Sequence, residues 1–220
     1  MSGIPRAILT WLIMMLILIS AWGWDDLRTF AAVWPRLLLL PVWLGLSIYG
    51  TLHNTHTSGS SGKKEIRGHR TAFWFFLPTL TLWFLFLPYA DRFNLKTVSS
   101  EAWRWIGLIL YAGMHWLRIE SIRAQGKQFS MAVAIQEGHQ LATNGPYRWM
   151  RHPAYTGVIG MVLGISLVFA NLIVGLGATA VVWFWMETRI WDEERLLLGE
   201  FGNDYSNYQK KTRKLIPLIY

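Results

Sequence analysis

Long apolar runs separated by short polar connectors dominate this chain. Ala7–Trp24, Ala31–Leu52, Thr71–Ala90 and Trp103–Ile119 each approach the length a helix needs to cross a bilayer, roughly 20 mostly apolar residues for about 30 Å of hydrocarbon. A fifth run, Ala154–Met186, would make a helix of about 50 Å, too long for one crossing. Its one strongly polar position is Asn171, in "FANL". A helical hairpin turning at Ala170–Asn171 resolves the excess, because a tight turn at membrane depth is tolerated where neighbouring helices satisfy its backbone. The pattern therefore predicts an all-α polytopic membrane protein with about six membrane helices, including a C-terminal hairpin over 154–186. Gly157, Gly160, Gly164, Gly175 and Gly177 put small residues along both arms, which suits close helix packing.

Charge sharpens this picture. Only 15% of the 220 residues are charged, against about 25% in ordinary soluble domains. The net charge of +8 is concentrated in three places. Lys63, Lys64, Arg67 and Arg70 share one connector; Arg118, Arg123, Lys127, Arg148 and Arg151 mark another; Lys210, Lys211, Arg213 and Lys214 follow the last apolar run. Connectors around Asp25–Asp26 and Asp91–Lys96 are balanced or slightly acidic. With a hairpin, all three basic stretches fall on one side and both termini are expected to be cytoplasmic. Arg36 and Arg104 are then expected at the opposite interface, anchoring helix ends. The first run ends in "ISAWGW", which lacks a small-x-small cleavage pattern, so it is read as a retained helix. No RNA-binding signature accompanies the basic residues, so nucleic acid is not an expected partner.

The chain has no Cys, so disulfides and thiolate metal sites are excluded. His53 and His56 stand three residues apart with no carboxylate between them, before the loose Ser/Gly run "TSGSSGKK". With His69 they are read as solvated loop histidines, and no metal site is expected. His115, inside the fourth run, is expected to hydrogen-bond a neighbouring helix or to line a cavity.

Two polar clusters carry the candidate chemistry. "NGPYRWMRHPAYTG", 144–157, opens the fifth run. Arg151 and His152 precede Pro153 at the first helical turn, where free backbone N–H groups attract a carboxylate or phosphate. Tyr147 and Tyr155 flank them, and Gly145–Pro146 forces a turn. The same residues would also serve as a plain basic collar of a membrane helix. The second cluster, "ETRIWDEERLLLGEFGNDYSNY" at 187–208, puts Arg189 and Glu193 on one helix face, with Glu194 beside them. Three consecutive acids at the membrane exit of a helix break the basic trend, and ionisable groups so near hydrocarbon usually have partners or a task. Acids facing a basic, aromatic cluster suit a zwitterionic ligand.

Together these stretches resemble the isoprenylcysteine carboxyl methyltransferase family, part of a larger group that includes phospholipid N-methyltransferases. Its pattern runs G-x-Y-x-x-x-R-H-P-x-Y-x-G, then a hydrophobic hairpin, then R-x-x-x-E-E and F-G-x-x-Y-x-x-Y. Here Gly145, Tyr147, Arg151, His152, Pro153, Tyr155 and Gly157 supply the first part; Arg189, Glu193, Glu194, Phe201, Gly202, Tyr205 and Tyr208 supply the rest. "GHQLATNG" adds His139 and Leu141. The resemblance implies S-adenosylmethionine as cofactor, in a cytoplasmic pocket lined by His139, Leu141, Gly145, Tyr147, His152 and Tyr155. Arg151 and Glu194 would be charged contacts near it, and Arg189 and Glu193 would act at the acceptor. It also divides the chain into residues 1–120, expected to select the acceptor, and 121–220, expected to handle the cofactor. A lipidic or prenylated acceptor is implied, entering from membrane lipid. An isoprenylcysteine carboxylate, a phospholipid amine and a small thiol all fit the residues. The rivals are an NADPH-dependent membrane reductase, which ends in a related R-H-P-x-Y-x-G segment but needs a more basic pocket, and a non-enzymatic scaffold.

Overall fold

The computed structural model describes residues 3–53, 64–65, 69–95, 100–130, 133–135, 138–217 and 219–220. The Ser/Gly run up to Gly62, together with His56, Lys63, Arg67 and Lys96, lies outside the described residues, as do the side chains of Lys64, His69 and Arg70. The predicted apolar runs become α1 (Gly3–Trp22), α3 (Trp34–His53), α4 (His69–Arg92), α5 (Glu101–Gln125), α6 (Pro153–Val168) and α7 (Leu172–Phe201). Two short helices are added, α2 (Leu27–Ala31) and α8 (Asn203–Lys211). Strands β1 (Lys64–Glu65) and β2 (Ala134–Ile135) pair antiparallel, which ties the α3–α4 connector to the stretch after α5. Among the described residues, α1, α3 and α7 are long and apolar enough to cross a membrane.

Burial divides the helices by job. α1 exposes Leu9, Leu12, Ile13 and Leu16 and buries only Leu18, Ile19 and Trp22 near its end. Apolar side chains facing outward along a helix suit lipid. α6 is the reverse: residues all round it are buried, from Pro153 and Ala154 through Ile159 and Val162 to Val168. It is the central rod of the bundle. α7 buries Gly175, Ala178, Val182, Met186 and Ile190, one stripe at helical spacing, and turns Ile173, Leu176 and Phe184 outward.

The hairpin turn falls where the sequence predicts it. Ala170 adopts a left-handed φ of 51°, a conformation costing a non-glycine residue about 1–2 kcal/mol. Asn171 offsets that cost. Its side chain accepts from the Val174 N–H at 3.1 Å, capping α7, and donates to the Leu95 carbonyl at 3.2 Å. The lone polar residue of the run is thus the device that ends one helix and starts the next.

The glycines pack closely, and mostly against α5. A Cβ on Gly157, Gly160 or Gly164 would meet α5, while one on Gly177 would meet nothing within 4 Å. Only Gly175 sits against its hairpin partner, at Ser166. A Cβ on Gly164 would lie 2.7 Å from the Tyr111 backbone nitrogen and 2.9 Å from the Gly107 carbonyl. Backbone meets backbone there, and no side chain can move aside. Gly164→Val should therefore push α5 from α6 and lower stability by about 2–3 kcal/mol. Thermal unfolding in detergent should register this as a fall in Tm of several degrees, while Gly177→Val should leave Tm unchanged.

At the turn end of the bundle a buried ion cluster joins six elements. Arg104 of α5 forks onto both Asp91 oxygens of α4, each at 2.6 Å, and donates to the Val168 carbonyl at 2.7 Å. Arg36 of α3 approaches Asp91 at 3.5 Å, donates to the Thr29 carbonyl at 3.2 Å and covers the Trp22 ring at 4.5 Å. Neither arginine is the interfacial anchor expected of it: Asp91 draws both inside. His115 also differs, since it bonds Tyr111 of its own helix at 3.1 Å.

Candidate active site

At the other end of the bundle the polar clusters converge. Gly145–Arg148 forms a tight helical turn, with Gly145 at φ 54°, that swings Tyr147 inward to full burial. His152 caps α6 and Pro153 takes its first turn, where a missing N–H has no consequence. The backbone just before α6 does not dangle. Arg151 N–H donates to the Arg213 carbonyl at 2.7 Å and His152 N–H to Lys214 at 3.0 Å, beside a parallel bridge between Met150 and Arg213. Tyr208 of α8 donates its hydroxyl to the Tyr147 carbonyl at 2.7 Å, and Thr156 donates to the Leu215 carbonyl at 2.7 Å. Residues 208–215 therefore form the back wall of the R-H-P segment.

The side chains in front of this wall enclose a cavity of about 330 Å³, within the usual size of a small-molecule site. Arg189 and Glu193 line it from α7, with His139, Leu141, Tyr147, Arg151, His152 and Tyr155 around them. Gly145 and Glu194 do not line it. Gly145 acts through the turn that aims Tyr147. Glu194 lies behind the wall, its carboxylate occupied by Arg151, His152 and Gln209. The Tyr155 hydroxyl donates to Glu193 Oε2 at 2.6 Å, and the His152 and Tyr155 rings stack 5.7 Å apart. The Arg189 guanidinium sits 5.2 Å from the Trp185 ring and 5.8 Å from Tyr155, so two aromatic faces hold it in place.

Several lining residues escaped the sequence reading. Arg118 of α5 adds a cation, and Leu80 of α4, Val158, Trp185 and Met186 add apolar surface. Ala134 and Ile135 of β2 also line it. The lining thus combines charged and apolar side chains.

Its electrostatics favour neutral donors beside fixed charges. Burial, reinforced by Glu193, pushes the Tyr147 phenol well above its ordinary pKa. Tyr205 rises for the same reason, with Glu194 and Glu193 adding to it, and Tyr208 rises by burial against the pull of Arg151. All three stay protonated at neutral pH. Burial lowers His139 and so keeps its ring neutral, against the attraction of Glu193 and Glu200. The Tyr205 hydroxyl is buried at the cavity, close to the Glu194 carboxylate.

This cavity lies where α5, α6 and α7 meet, and the same helices carry the likeness to known proteins. Residues 105–199 match the isoprenylcysteine carboxyl methyltransferase family. The match extends the resemblance upstream to α5 and so takes in Arg118. A protein-S-isoprenylcysteine O-methyltransferase of Schizosaccharomyces pombe is 36% identical over 106 residues, 47% of this chain and 45% of the relative. The enzyme of the same name from Tribolium castaneum is 28% identical over 152 residues, 60% of this chain and 54% of the relative. The chain thus spans about half the length of these curated relatives. A solved structure of a eukaryotic intramembrane Ras methyltransferase, isoprenylcysteine carboxyl methyltransferase, superposes with a TM-score of 0.56 at 18% identity. That likeness covers 99% of this chain and 95% of the other, so the fold is shared along the whole chain, including the N-terminal helices that carry no readable motif.

Proposed function

We propose that this chain is an integral membrane methyltransferase that esterifies the carboxylate of a lipidic acceptor, most like an isoprenylcysteine, using S-adenosylmethionine. One observation carries the reading: a single cavity is lined both by Arg118, Arg189 and Glu193 and by the apolar Leu80, Val158 and Met186. On this reading the bundle makes six crossings with both termini cytoplasmic. Residues 1–120 choose the acceptor and 121–220 hold the cofactor.

S-adenosylmethionine, when bound, supplies an electrophilic methyl group on a sulfonium. His139, Tyr147, His152, Tyr155 and Tyr205 would hold it, with Glu193 as the anion for its ammonium. An acceptor carboxylate is already ionised at neutral pH, so no general base is needed. Arg118 and Arg189 would orient one carboxylate oxygen towards the methyl group that the cofactor would supply. The apolar side chains of the cavity would take the lipid tail and exclude water. The methyl ester carries no charge, loses its hold on both guanidiniums and leaves into lipid.

Calorimetric titration of the detergent-solubilised protein with S-adenosylhomocysteine, and separately with NADPH, tests this. Saturable binding of the first alone, followed by transfer of labelled methyl to an N-acetyl-S-prenylcysteine, is the expected result. Binding of NADPH alone would replace the reading with a reductase. Binding of neither by folded protein would leave a scaffold.

A further inference from the structure

Glu194 has no place in the cavity, yet it is the most fully used carboxylate near it. Its Oε1 accepts from Arg151 Nε at 2.8 Å and faces His152 Nε2 at 3.2 Å, while Oε2 accepts from Gln209 at 3.1 Å. Arg151 is held from the other side as well, its Nη1 donating to the carbonyls of Gln209 at 3.3 Å and Thr212 at 2.7 Å. His152 is buried, so its ring has little freedom to turn.

An ionised carboxylate can only accept, so the ring nitrogen facing it carries the proton. With Nε2 protonated, a neutral ring offers Nδ1 as an acceptor on its other edge. That nitrogen lies 4.0 Å from Glu193 Oε1, and both residues line the cavity. Two acceptors at this separation fit a ligand group with two donor hydrogens, an ammonium or a pair of neighbouring hydroxyls.

We propose that Glu194 is a positioning residue that never touches the ligand. It fixes His152 in its Nε2–H form and Arg151 in its rotamer, and so builds a two-acceptor cradle from His152 Nδ1 and Glu193 Oε1. The identity of the ligand rests on the methyltransferase reading; the tautomer of His152 does not. The same logic governs metal-bound histidines, where an outer carboxylate sets which nitrogen is free.

The test pairs two variants with one spectrum. Glu194→Gln keeps a carbonyl able to accept from both Arg151 and His152, whereas Glu194→Leu keeps none. S-adenosylhomocysteine affinity should stay within about threefold of the parent in Glu194→Gln and fall roughly tenfold or more in Glu194→Leu. In protein carrying 15N-histidine, with His152→Gln used for assignment, the ring should show a protonated Nε2 and a bare Nδ1 at neutral pH. Adding S-adenosylhomocysteine should shift Nδ1 and leave Nε2 nearly still. Equal losses in both variants would make Glu194 a direct charge contact and overturn the proposal. A protonated Nδ1, or an imidazolium, would overturn it even if Glu194→Leu fails to fold. Parent protein that ignores S-adenosylhomocysteine yet shows the Nε2–H ring would refute the methyltransferase reading and leave the positioning role standing.

Discussion

Asp91→Ala should destabilise the folded chain by about 3–5 kcal/mol, the loss expected when one partner of a buried ionic network is removed. The Asp91 side chain is 2% exposed and is the only carboxylate within ion-pair reach of Arg36 and Arg104 among the described residues. Its removal leaves two guanidiniums inside the bundle with carbonyls and the Trp22 and Phe30 rings for company. Neither can reach water without pulling α3 or α5 from its seat. Asp25 provides the contrast, because it also forks onto an arginine, Arg92, but its side chain is 74% exposed. Asp25→Ala should leave stability nearly unchanged, because an exposed ion pair contributes little. Thermal unfolding of both variants in the same detergent decides the matter. Similar Tm values for the two would mean that the cluster at Asp91 does not hold the helices together.

The second large effect falls on turnover. Arg189→Ala should slow methyl transfer about a hundredfold or more, some 3 kcal/mol at 1.36 kcal/mol per decade, while S-adenosylhomocysteine affinity stays within about threefold. The reasoning is geometric. Arg189 lies one helical turn before Glu193 and reaches the cavity pinned between Trp185 and Tyr155, where a planar guanidinium can grip a carboxylate by two parallel bonds. Arg189→Lys should recover little, since an ammonium can neither fork nor stack in the same way. Single-turnover rates at saturating cofactor, compared with calorimetric affinity, separate the two quantities. Full turnover by Arg189→Ala would remove it from the acceptor's path.

Much of this architecture is legible in the sequence because hydrocarbon is a simple solvent. A run of some twenty apolar residues has few fates there, and one Asn in a run too long to cross once has nearly one. The composite R-H-P and R-x-x-x-E-E pattern likewise points to residues that meet in one cavity. What escapes is everything decided by rotation about a helix axis. Glu193 and Glu194 are neighbours in sequence but about 100° apart on α7, and only the packed bundle turns the first inward and the second onto Arg151. Arg118 reads as one more basic residue at a helix end until α6 is laid against α5. Gly157 and Gly164 announce close packing without naming the helix they will touch. Arg36 and Arg104 look like interfacial anchors because nothing in a linear chain reveals that Asp91 will sit between them.

The edge formed by 208–215 against 150–156 gives the protein an order of assembly. On the proposed membrane reading, α1 to α7 are all synthesised before that edge exists, and α6 and α7 enter the bilayer as a hairpin whose turn Asn171 caps. The cavity is closed afterwards by a segment that bonds chiefly through its carbonyls, helped by the Tyr208 hydroxyl and the Gln209 amide. Insertion and the gaining of a binding site are therefore separable events: a chain caught between them would be fully embedded and still inert.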